Sequence, residues 1–369
     1  MNTEPGASKG CRKFNATADS GLCDTNRMPG LVTVVSQVLA RGNDLLEREI
    51  FGTGDPQVIA RQMEVFLKER FGAVPEPIFY RHSVGIVVGA RIGEQEVVLK
   101  IHRWRASVLK LAAMHRVQHE LSLAGLPVPR PLLAPVKFGT GIAIVEELLT
   151  GDIANGHETE VRKVLAQELF RLISAGRKIV DIDGLGLPAL LAEPSAPLWP
   201  TPHSSRFDFE ATGQGAEWID ELAWSALRRL VTLTGELVIG HLDWRVGNLG
   251  FEGSKLTAIY DWDSIGLATE AFIVGSAAAT FSSDWSKPRG SLPNLYEMRT
   301  FVADYQNARE MSFDRDELEV VDAANLILIA YVARCQHSDI LLSHDSTTSD
   351  PESWIELLLE RDELGLIAS

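Results

Sequence analysis

Two carboxylates and one amide between residues 236 and 263 have the spacing that phosphoryl transfer requires. Asp243 is followed five positions later by Asn248, and Asp261 comes after one further apolar run. Carboxylate and amide oxygens are hard ligands for Mg²⁺, so Asn248 and Asp261 are candidate metal ligands. Asp243 could orient a hydroxyl group and accept its proton, and Arg245 could stabilise charge on a transferring phosphoryl group.

Two short apolar runs must position these side chains. The runs Leu237–Ile239 and Leu256–Tyr260 are typical of buried strands, and the polar loop lies between them. Asp and Asn also favour ordinary turns, but the second carboxylate arrives one strand later, which favours the functional interpretation. His241 is expected to pack beside the loop and to hydrogen-bond its backbone rather than to carry a proton.

Two side chains of this stretch keep alternative interpretations. Arg245 either acts on the phosphoryl group or pairs with Asp263 or Glu252. Asp263 is either a carboxylate behind the metal site or a second metal contact.

A lysine and a glutamate far upstream complete the candidate site. Lys100 closes the predicted strand Val97–Lys100, where its ammonium group could contact the α- and β-phosphates of a nucleotide. Glu120, on the following helix, could pair with Lys100 and hold it in place. The alternatives are a surface lysine at a strand end and a solvated helix glutamate with neighbouring histidines as partners.

The first half of the chain predicts helices followed by a small antiparallel sheet. Apolar residues at helical spacing predict one helix over Leu31–Ile50, and Asp55-Pro56 begins a second helix that ends near Phe71. Strand-like runs and one more helix follow at Ile78–Arg81, Val84–Arg91, Glu96–His102, 105–124 (the helix), Pro131–Phe138 and Ile142–Leu148. This order predicts five strands with one helix packed on them.

The second half is mainly helical. Helices are predicted over 159–178, 216–233, 268–282, 294–309, 315–343 and 351–364. The connection 179–213 is too long for a simple loop, so we expect acceptor recognition there and in the helical part. The sequence thus predicts a disordered tail over 1–29, a nucleotide-binding lobe with preceding helices over 30–150, and a helical catalytic and acceptor-binding lobe over 151–369.

Charge, cysteines and hydropathy limit the possible partners. A net charge of −15 in 369 residues argues against a nucleic-acid partner and is compatible with a cationic small substrate. Three cysteines without metal-ligand spacing predict reduced thiols. The N-terminus has no basic-then-apolar pattern, and the apolar runs are shorter than a membrane span. We therefore expect a cytoplasmic protein that contacts no membrane; no feature specifies its oligomeric state.

The sequence resembles the aminoglycoside phosphotransferase and choline kinase branch of the protein-kinase-like superfamily. His241-Leu-Asp-Trp-Arg-Val-Gly-Asn248 matches the H-x-D-x-x-x-x-N loop of that branch, and Asp261-Trp262-Asp263 matches its metal-binding D-[FW]-[DE]. Upstream, Val98-Leu-Lys100 matches the nucleotide lysine, Glu120 the helix glutamate and Val145-Glu-Glu-Leu-Leu-Thr-Gly151 the hinge. Together these matches cover about residues 75–285.

The resemblance implies a two-lobe, kinase-like α+β fold with a nucleotide in the cleft between the lobes. It makes Asp243 the catalytic base and Asn248 and Asp261 the Mg²⁺ ligands. It also implies that backbone groups near Glu147 and Leu148 receive the adenine. The implied reaction transfers the γ-phosphoryl group of ATP, or of GTP, to a hydroxyl group of a small molecule.

Three departures from the family pattern qualify this expectation. The turn His82–Gly85 lacks a full glycine-rich loop, so Ser83 and Gly85 are the only candidate phosphate contacts there. An aspartate that often braces the catalytic loop is replaced by Ile273, which leaves a nucleotide-binding pseudokinase or regulator as an alternative. A protein kinase is disfavoured because no D-F-G glycine and no A-P-E sequence follow Asp261.

Overall fold

The computed structural model describes most of the chain from residue 30 onward. The described residues are 30–42, 44–82, 85–103, 107–180, 182–192, 197–202, 204, 206–232, 235–284, 292–342 and 353–366. The predicted tail over 1–29 and the candidate phosphate contact Ser83 lie outside these ranges.

A five-stranded antiparallel sheet forms the first half of the molecule. Its strands are β1 (Glu76–His82), β2 (Ile86–Ile92), β3 (Gln95–His102), β4 (Pro131–Phe138) and β5 (Gly141–Glu147). Their order in the sheet is β1-β2-β3-β5-β4. All four pairings are antiparallel, so the predicted sheet is confirmed.

Helices cover both faces of this sheet. The helices are α1 (Leu31–Leu39), α2 (Leu45–Phe51), α3 (Pro56–Phe71) and α4 (Val108–Leu123). Helices α1–α3 share one apolar core with the sheet face that includes Leu99, whereas α4 packs on the opposite face against Ile142 and Ile144. The predicted helix packed on the sheet is thus α4, and the preceding helices bury the opposite face.

The start of the chain shows one error of prediction and one confirmed helix boundary. The single helix predicted over Leu31–Ile50 is wrong, because the structure divides it into α1 and α2 around a turn at Gly42. Glycine in a helix interior costs about 1 kcal/mol relative to alanine, which favours a break there. Helix α3 begins as predicted: the Asp55 carboxylate accepts the Gln57 N–H, and Pro56 occupies the first turn.

Seven helices build most of the described part of the second half. They are α5 (Thr159–Gly176), α6 (Ala189–Ala192), α7 (Glu217–Thr232), α8 (Glu270–Thr280), α9 (Leu295–Arg309), α10 (Arg315–Leu342) and α11 (Trp354–Leu364). Every residue of α8 is buried, and the long helix α10 packs against α7, α8 and α11. Helix α8 is therefore a buried support for the strands that precede it in the chain.

Two small strand pairs hold residues 237–269 on this support. Strand β6 (Leu237–His241) pairs with β9 (Ile265–Thr269), and β7 (Leu249–Glu252) pairs with β8 (Lys255–Ile259). The strands at 237 and 256 were predicted, whereas β7 and β9 were not. Both pairs are antiparallel, and they present the intervening loops at one edge.

The connection between the two halves passes very close to this edge. A Cβ atom on Gly151 would lie 2.5 Å from Gly250 Cα, so only glycine fits. An isolated bridge joins Asp152 to Phe251 directly after this contact. The lobe boundary near residue 150 stays a prediction, but the crossing there ties the sheet half to the β7–β8 hairpin.

Two sequence expectations concern membrane contact and thiols. No helix in the described ranges is long and apolar enough to cross a membrane. Cys335 is a buried free thiol, and burial raises its pKa to about 12. Cys11 and Cys23 lie outside the described residues.

Candidate active site

His241 fixes the loop that carries Asp243. The His241 Nδ1 atom accepts the Asp243 N–H at 3.3 Å, and Nε2 lies 2.8 Å from the Tyr260 carbonyl oxygen. A backbone N–H can only donate, so Nδ1 is the acceptor and Nε2 carries the proton. Both nitrogens of this buried ring are engaged by the backbone, so His241 has a structural role, as the sequence predicted.

Two buried tryptophans enclose the histidine ring. Trp244 and Trp262 each approach His241 edge-on with ring centroids 5.9 Å apart. Their indole N–H groups donate to the carbonyls of Leu165 and Ile259, at 3.1 and 2.8 Å respectively. The ring cluster therefore joins the two predicted motifs, H-x-D and D-W-D, in one packed unit.

Asp243 projects from this loop and is held by two neighbours. Arg245 Nε lies 3.0 and 3.1 Å from the two Asp243 carboxylate oxygens. Asn248 Nδ2 donates to Asp243 Oδ2 at 2.6 Å and to its carbonyl oxygen at 2.9 Å. One third of the Asp243 side chain stays exposed, so the carboxylate is oriented but accessible.

Asn248 and Asp261 are brought together by the β7–β8 hairpin. Register pairs Leu249 with Ile259, and the Tyr260 N–H donates to the Asn248 carbonyl at 2.8 Å. Because the Asn248 amide nitrogen faces Asp243, its Oδ1 atom points to the other side, where a cation could bind.

Asp261 has an unusual backbone and an unfavourable charge environment. Its φ of 57° and ψ of 50° lie in the left-handed region, which is uncommon for residues other than glycine. Burial raises the pKa of Asp261, and the carboxylates of Asp243 and Asp263 raise it further, against the effects of His241 and Lys100. A cation between Asn248 and Asp261 would relieve this repulsion.

Lys100 lies on β3 across from these carboxylates. Its Nζ atom forms a 2.6 Å ion pair with Glu146 Oε1 at the end of β5. Gln118 of α4 donates to the other Glu146 oxygen at 2.9 Å, and Gln118 and Glu146 are buried. Burial lowers the pKa of Lys100, but Glu146 and Asp263 outweigh it, so the pKa lies above its ordinary value.

The predicted pairing of Lys100 with Glu120 is wrong. Glu120 is exposed on α4, whereas Gln118 on the same helix faces the sheet. Two positions along a helix correspond to about 200° of rotation, so these two side chains cannot share a face. Glu146 was missed, although a carboxylate that ends the apolar run Ile142–Val145 was a visible signal for it.

The hinge residues use their backbone donors within the sheet. The Glu147 N–H donates to the Arg130 carbonyl at 2.9 Å, and the Leu148 N–H donates to the Glu96 carbonyl at 3.0 Å. An adenine ring that needs a backbone N–H must therefore find it beyond Leu148. The hinge at Glu147 and Leu148 stays a prediction, and the sequence did not show which donors the strands consume.

A comparison with models of protein families shows the family of this chain. The model of the phosphotransferase enzyme family matches residues 87–320, more than half of the chain. The chain belongs to the phosphotransferase enzyme family. It is thus a small-molecule phosphotransferase, and the predicted resemblance is confirmed. A comparison with curated protein sequences finds no significant match.

Solved structures similar to this phosphotransferase include two antibiotic kinases. Amicoumacin kinase hAmiN, in complex with AMP-PNP, Ca²⁺ and Ami, is 13% identical with a TM-score of 0.56, covering 79% of this chain and 89% of that one. Spectinomycin phosphotransferase APH(9)-Ia, in complex with ADP and spectinomycin, is 15% identical with a TM-score of 0.52, covering 82% and 98%. The likeness confirms the predicted two-lobe, kinase-like α+β fold.

The phosphotransferase replaces the usual aspartate brace with apolar packing and backbone bonds. Ile273 of α8 packs on Gly240, where a Cβ atom would lie 2.3 Å from Ile273 Cδ1. The Val246 N–H donates to the Phe281 carbonyl at 2.9 Å, and the Gly247 N–H to the Ser283 carbonyl at 3.3 Å. The loop from His241 to Asn248 is therefore held from both ends of α8 without a carboxylate at position 273.

The contacts of Arg245 and Asp263 bear on the alternative roles that the sequence left open for these two side chains. Arg245 pairs with Asp243 itself, and neither Asp263 nor Glu252 forms a described ion pair with it. The Asp263 carboxylate faces His102 of β3 at 3.8 Å, and its carbonyl accepts from Lys110 of α4 at 3.1 Å. Burial lowers the pKa of His102, which disfavours the charged form of its ring. Asp263 thus ties the D-W-D segment to the sheet half.

The assignment of Glu146 as the partner of Lys100 predicts a selective loss of stability. Glu146→Gln keeps the side-chain shape but removes the charge that faces the buried ammonium group. We expect the free energy of unfolding to fall by about 3 kcal/mol or more. The matched change Glu120→Gln, on an exposed side chain, should alter it by less than about 0.5 kcal/mol. Chemical denaturation followed by tryptophan fluorescence measures both; equal effects would contradict the pairing.

The raised pKa of Asp261 predicts that replacing its carboxylate with a neutral amide stabilises the metal-free protein. The folded state keeps this proton to higher pH than the unfolded chain, so ionised Asp261 costs folding free energy above its folded-state pKa. Asp261→Asn removes that cost, and Asn tolerates the left-handed backbone. At pH 7 in EDTA we expect a melting temperature higher by roughly 1–2 °C.

The pH dependence of the rise in melting temperature serves as the control for the Asp261→Asn experiment. The difference between variant and wild type should shrink as pH falls through the folded-state pKa of Asp261, because the wild-type carboxyl then takes up a proton. Differential scanning calorimetry at several pH values measures it. A variant that is less stable than wild type throughout would show that Asp261 is not under charge repulsion.

Proposed function

We propose that this phosphotransferase transfers the γ-phosphoryl group of ATP to a hydroxyl group of a small molecule. The main support is the convergence of a held but accessible carboxylate, Asp243, with the Asn248–Asp261 pair and with Lys100. Phosphoryl transfer requires positioning and charge stabilisation rather than covalent chemistry by the protein, and these groups supply both. GTP is the alternative donor.

The residues of the loop have distinct roles in this proposal. As the acceptor oxygen forms its bond to the γ-phosphorus, the bond from that phosphorus to the β–γ bridging oxygen breaks, and Asp243 takes the hydroxyl proton. Arg245, held on Asp243, orients the carboxylate and lies beside the developing charge. ADP is the leaving group.

Asn248 and Asp261 would hold Mg²⁺. Their donor set fits, because Mg²⁺ prefers oxygen ligands and is often held by one or two protein side chains together with substrate phosphates. No group of three or more His, Cys, Asp or Glu side chains in the described ranges forms a metal cage, which agrees with a cation that arrives with the nucleotide. When bound, Mg²⁺ would neutralise negative charge on the nucleotide phosphates.

The sheet half would bind the rest of the nucleotide. Lys100, fixed by Glu146 and Gln118, would contact the α- and β-phosphates. At the hinge we assign the adenine donor to the Leu149 N–H, for which no acceptor is found among the described residues. The carbonyls of Glu147 and Leu148 are the remaining hinge groups that could receive the adenine amino group.

The acceptor would lie on the helical side of Asp243. The connection over 179–213 passes this site: the Leu267 N–H donates to the Gly186 carbonyl at 3.0 Å, next to the D-W-D segment. The similar structures are described with amicoumacin-type and spectinomycin ligands, which makes antibiotics the first acceptors to test. The net charge of −15 suits a cationic acceptor in the cytoplasm.

A nucleotide-consumption screen tests the proposal. The acceptor panel contains antibiotics, amino alcohols and sugars, with MgATP and separately MgGTP as donors. With a hit acceptor, Asp243→Ala should lower kcat by about 10²–10⁴-fold, the usual contribution of a general base. Glu252→Ala, an exposed change in the neighbouring hairpin, is the control and should leave kcat unchanged.

Two outcomes would contradict the proposal in different ways. Equal turnover by wild type and Asp243→Ala would remove Asp243 as the base. No turnover with any acceptor, together with a nucleotide-dependent rise in melting temperature, would favour the pseudokinase alternative.

A further inference from the structure

An arginine on β1 shares the cleft face of the sheet with Lys100. Strand register pairs Arg81 with Val87, and Val87 with Lys100, so the three residues form one row across β1, β2 and β3. Directly paired residues of neighbouring strands point to the same face. With strands about 4.8 Å apart, the Arg81 and Lys100 Cα atoms are separated by about 10 Å.

The neighbours of Arg81 confirm which face it occupies. Tyr80 and His82 point the other way, where both contact the buried Glu47 carboxylate, at 2.7 and 2.5 Å. Side chains alternate along a strand, so Arg81 between them must face the cleft. This is the face from which Lys100 reaches Glu146 and the loop carboxylates.

Aromatic packing holds the arginine side chain over the sheet. The Arg81 guanidinium carbon lies 4.7 Å from the centroid of the Phe79 ring. Phe79 in turn lies across Gly89, where a Cβ atom would come within 2.4 Å of the ring. Gly89 therefore makes room for Phe79, and Phe79 supports the guanidinium group above the cleft.

Across the cleft the guanidinium group faces Asp261 and Tyr260. Desolvation by the surrounding protein lowers the pKa of Arg81 although its side chain is exposed, and its interactions with Tyr260 and Asp261 oppose that effect. Arginine keeps its charge at every working pH. No carboxylate of the described residues forms an ion pair with Arg81, whereas Lys100 is already paired with Glu146.

The charge balance of the cleft calls for such a cation. Asp243, Asp261 and Asp263 converge on the space where the proposed function places a triphosphate. The turn after β1 has no full glycine-rich loop to surround the phosphates with backbone N–H groups. A guanidinium group offers a fork of donors that matches phosphate oxygens.

We propose that Arg81 is a phosphate-binding residue of the nucleotide site, contacting the terminal phosphates between Lys100 and Asp261. The inference rests on the proposed function, since it requires a nucleotide in this cleft. Arg81 and Lys100 would then divide the phosphate chain, with Lys100 at the α- and β-phosphates and Arg81 towards the γ-phosphate. The arginine compensates for the sparse turn.

Equilibrium binding without an acceptor tests this assignment. Isothermal titration calorimetry with MgATP, ADP and adenosine is compared for wild type, Arg81→Gln and Arg81→Lys. We expect Arg81→Gln to weaken MgATP binding at least tenfold, to weaken ADP binding less, and to leave adenosine binding within twofold. Arg81→Lys keeps the charge and should bind MgATP at least threefold more tightly than Arg81→Gln.

A second arginine of the same sheet serves as the matched control. Arg91 of β2 is exposed and pairs with Glu96, away from the cleft carboxylates, so Arg91→Gln should bind all three ligands as wild type does. Circular dichroism and the melting temperature check that each variant is folded.

Each contrary result has one meaning. Equal MgATP affinity of Arg81→Gln and wild type would overturn the role of Arg81 while leaving the proposed function intact. If Arg81→Gln loses as much affinity for adenosine as for MgATP, Arg81 only supports Phe79, and the proposal is overturned. If Arg81→Gln and Arg81→Lys bind MgATP with equal affinity, the charge of the side chain is irrelevant, which also overturns the proposal. A wild-type protein that binds no nucleotide would overturn both this inference and the proposed function.

Discussion

The concentration of negative charge at one edge of the molecule constrains the whole site. Asp243, Asp261 and Asp263 lie close enough that burial and mutual repulsion raise the pKa of Asp261. Each carboxylate is balanced differently: Asp243 by its ion pair with Arg245, Asp263 by its contacts with β3 and α4, and Asp261, among the described residues, by longer-range interactions with Lys100 and Arg81. A site with this imbalance is suited to binding a divalent cation, because the cation would supply the missing positive charge.

The chain maintains this unfavourable arrangement through backbone geometry rather than through further charges. The neutral His241 ring bonds the backbone of both loops, and its tryptophan neighbours fix their separation. The left-handed backbone of Asp261 would not persist without such surroundings. Helix α8, buried along its entire length, supports both loops, so Ile273 can replace a polar brace by packing on Gly240.

The sequence predicted the features that depend on residues close to one another along the chain. The loop residues from Asp243 to Asp261 lie within twenty positions, and two short strands suffice to bring them together, as the structure shows. The five-stranded sheet also followed from alternating apolar runs and turns. Helix α2 was missed because apolar spacing continues through Gly42, and only the backbone preference of glycine marks the break.

Partners that meet across the fold were harder to predict. Whether Gln118 or Glu120 faces Lys100 depends on the rotational setting of α4, which is fixed by packing of Met114, Val117 and Leu121 on the sheet. The role of Glu146 depends on the strand order β3-β5, which joins residues nearly fifty positions apart. The Glu147 and Leu148 N–H groups are consumed by strand pairing, which no motif records.

The account depends most on Asp261 as a ligand of a metal that arrives with the nucleotide. The direct measurement is the affinity for ATP with and without Mg²⁺, in wild type and in Asp261→Asn, by isothermal titration calorimetry. The account predicts that Mg²⁺ strengthens ATP binding to wild type at least tenfold and has little effect on the variant. If Mg²⁺ strengthens ATP binding equally in both proteins, Asp261 is not a metal ligand and the proposed site is wrong.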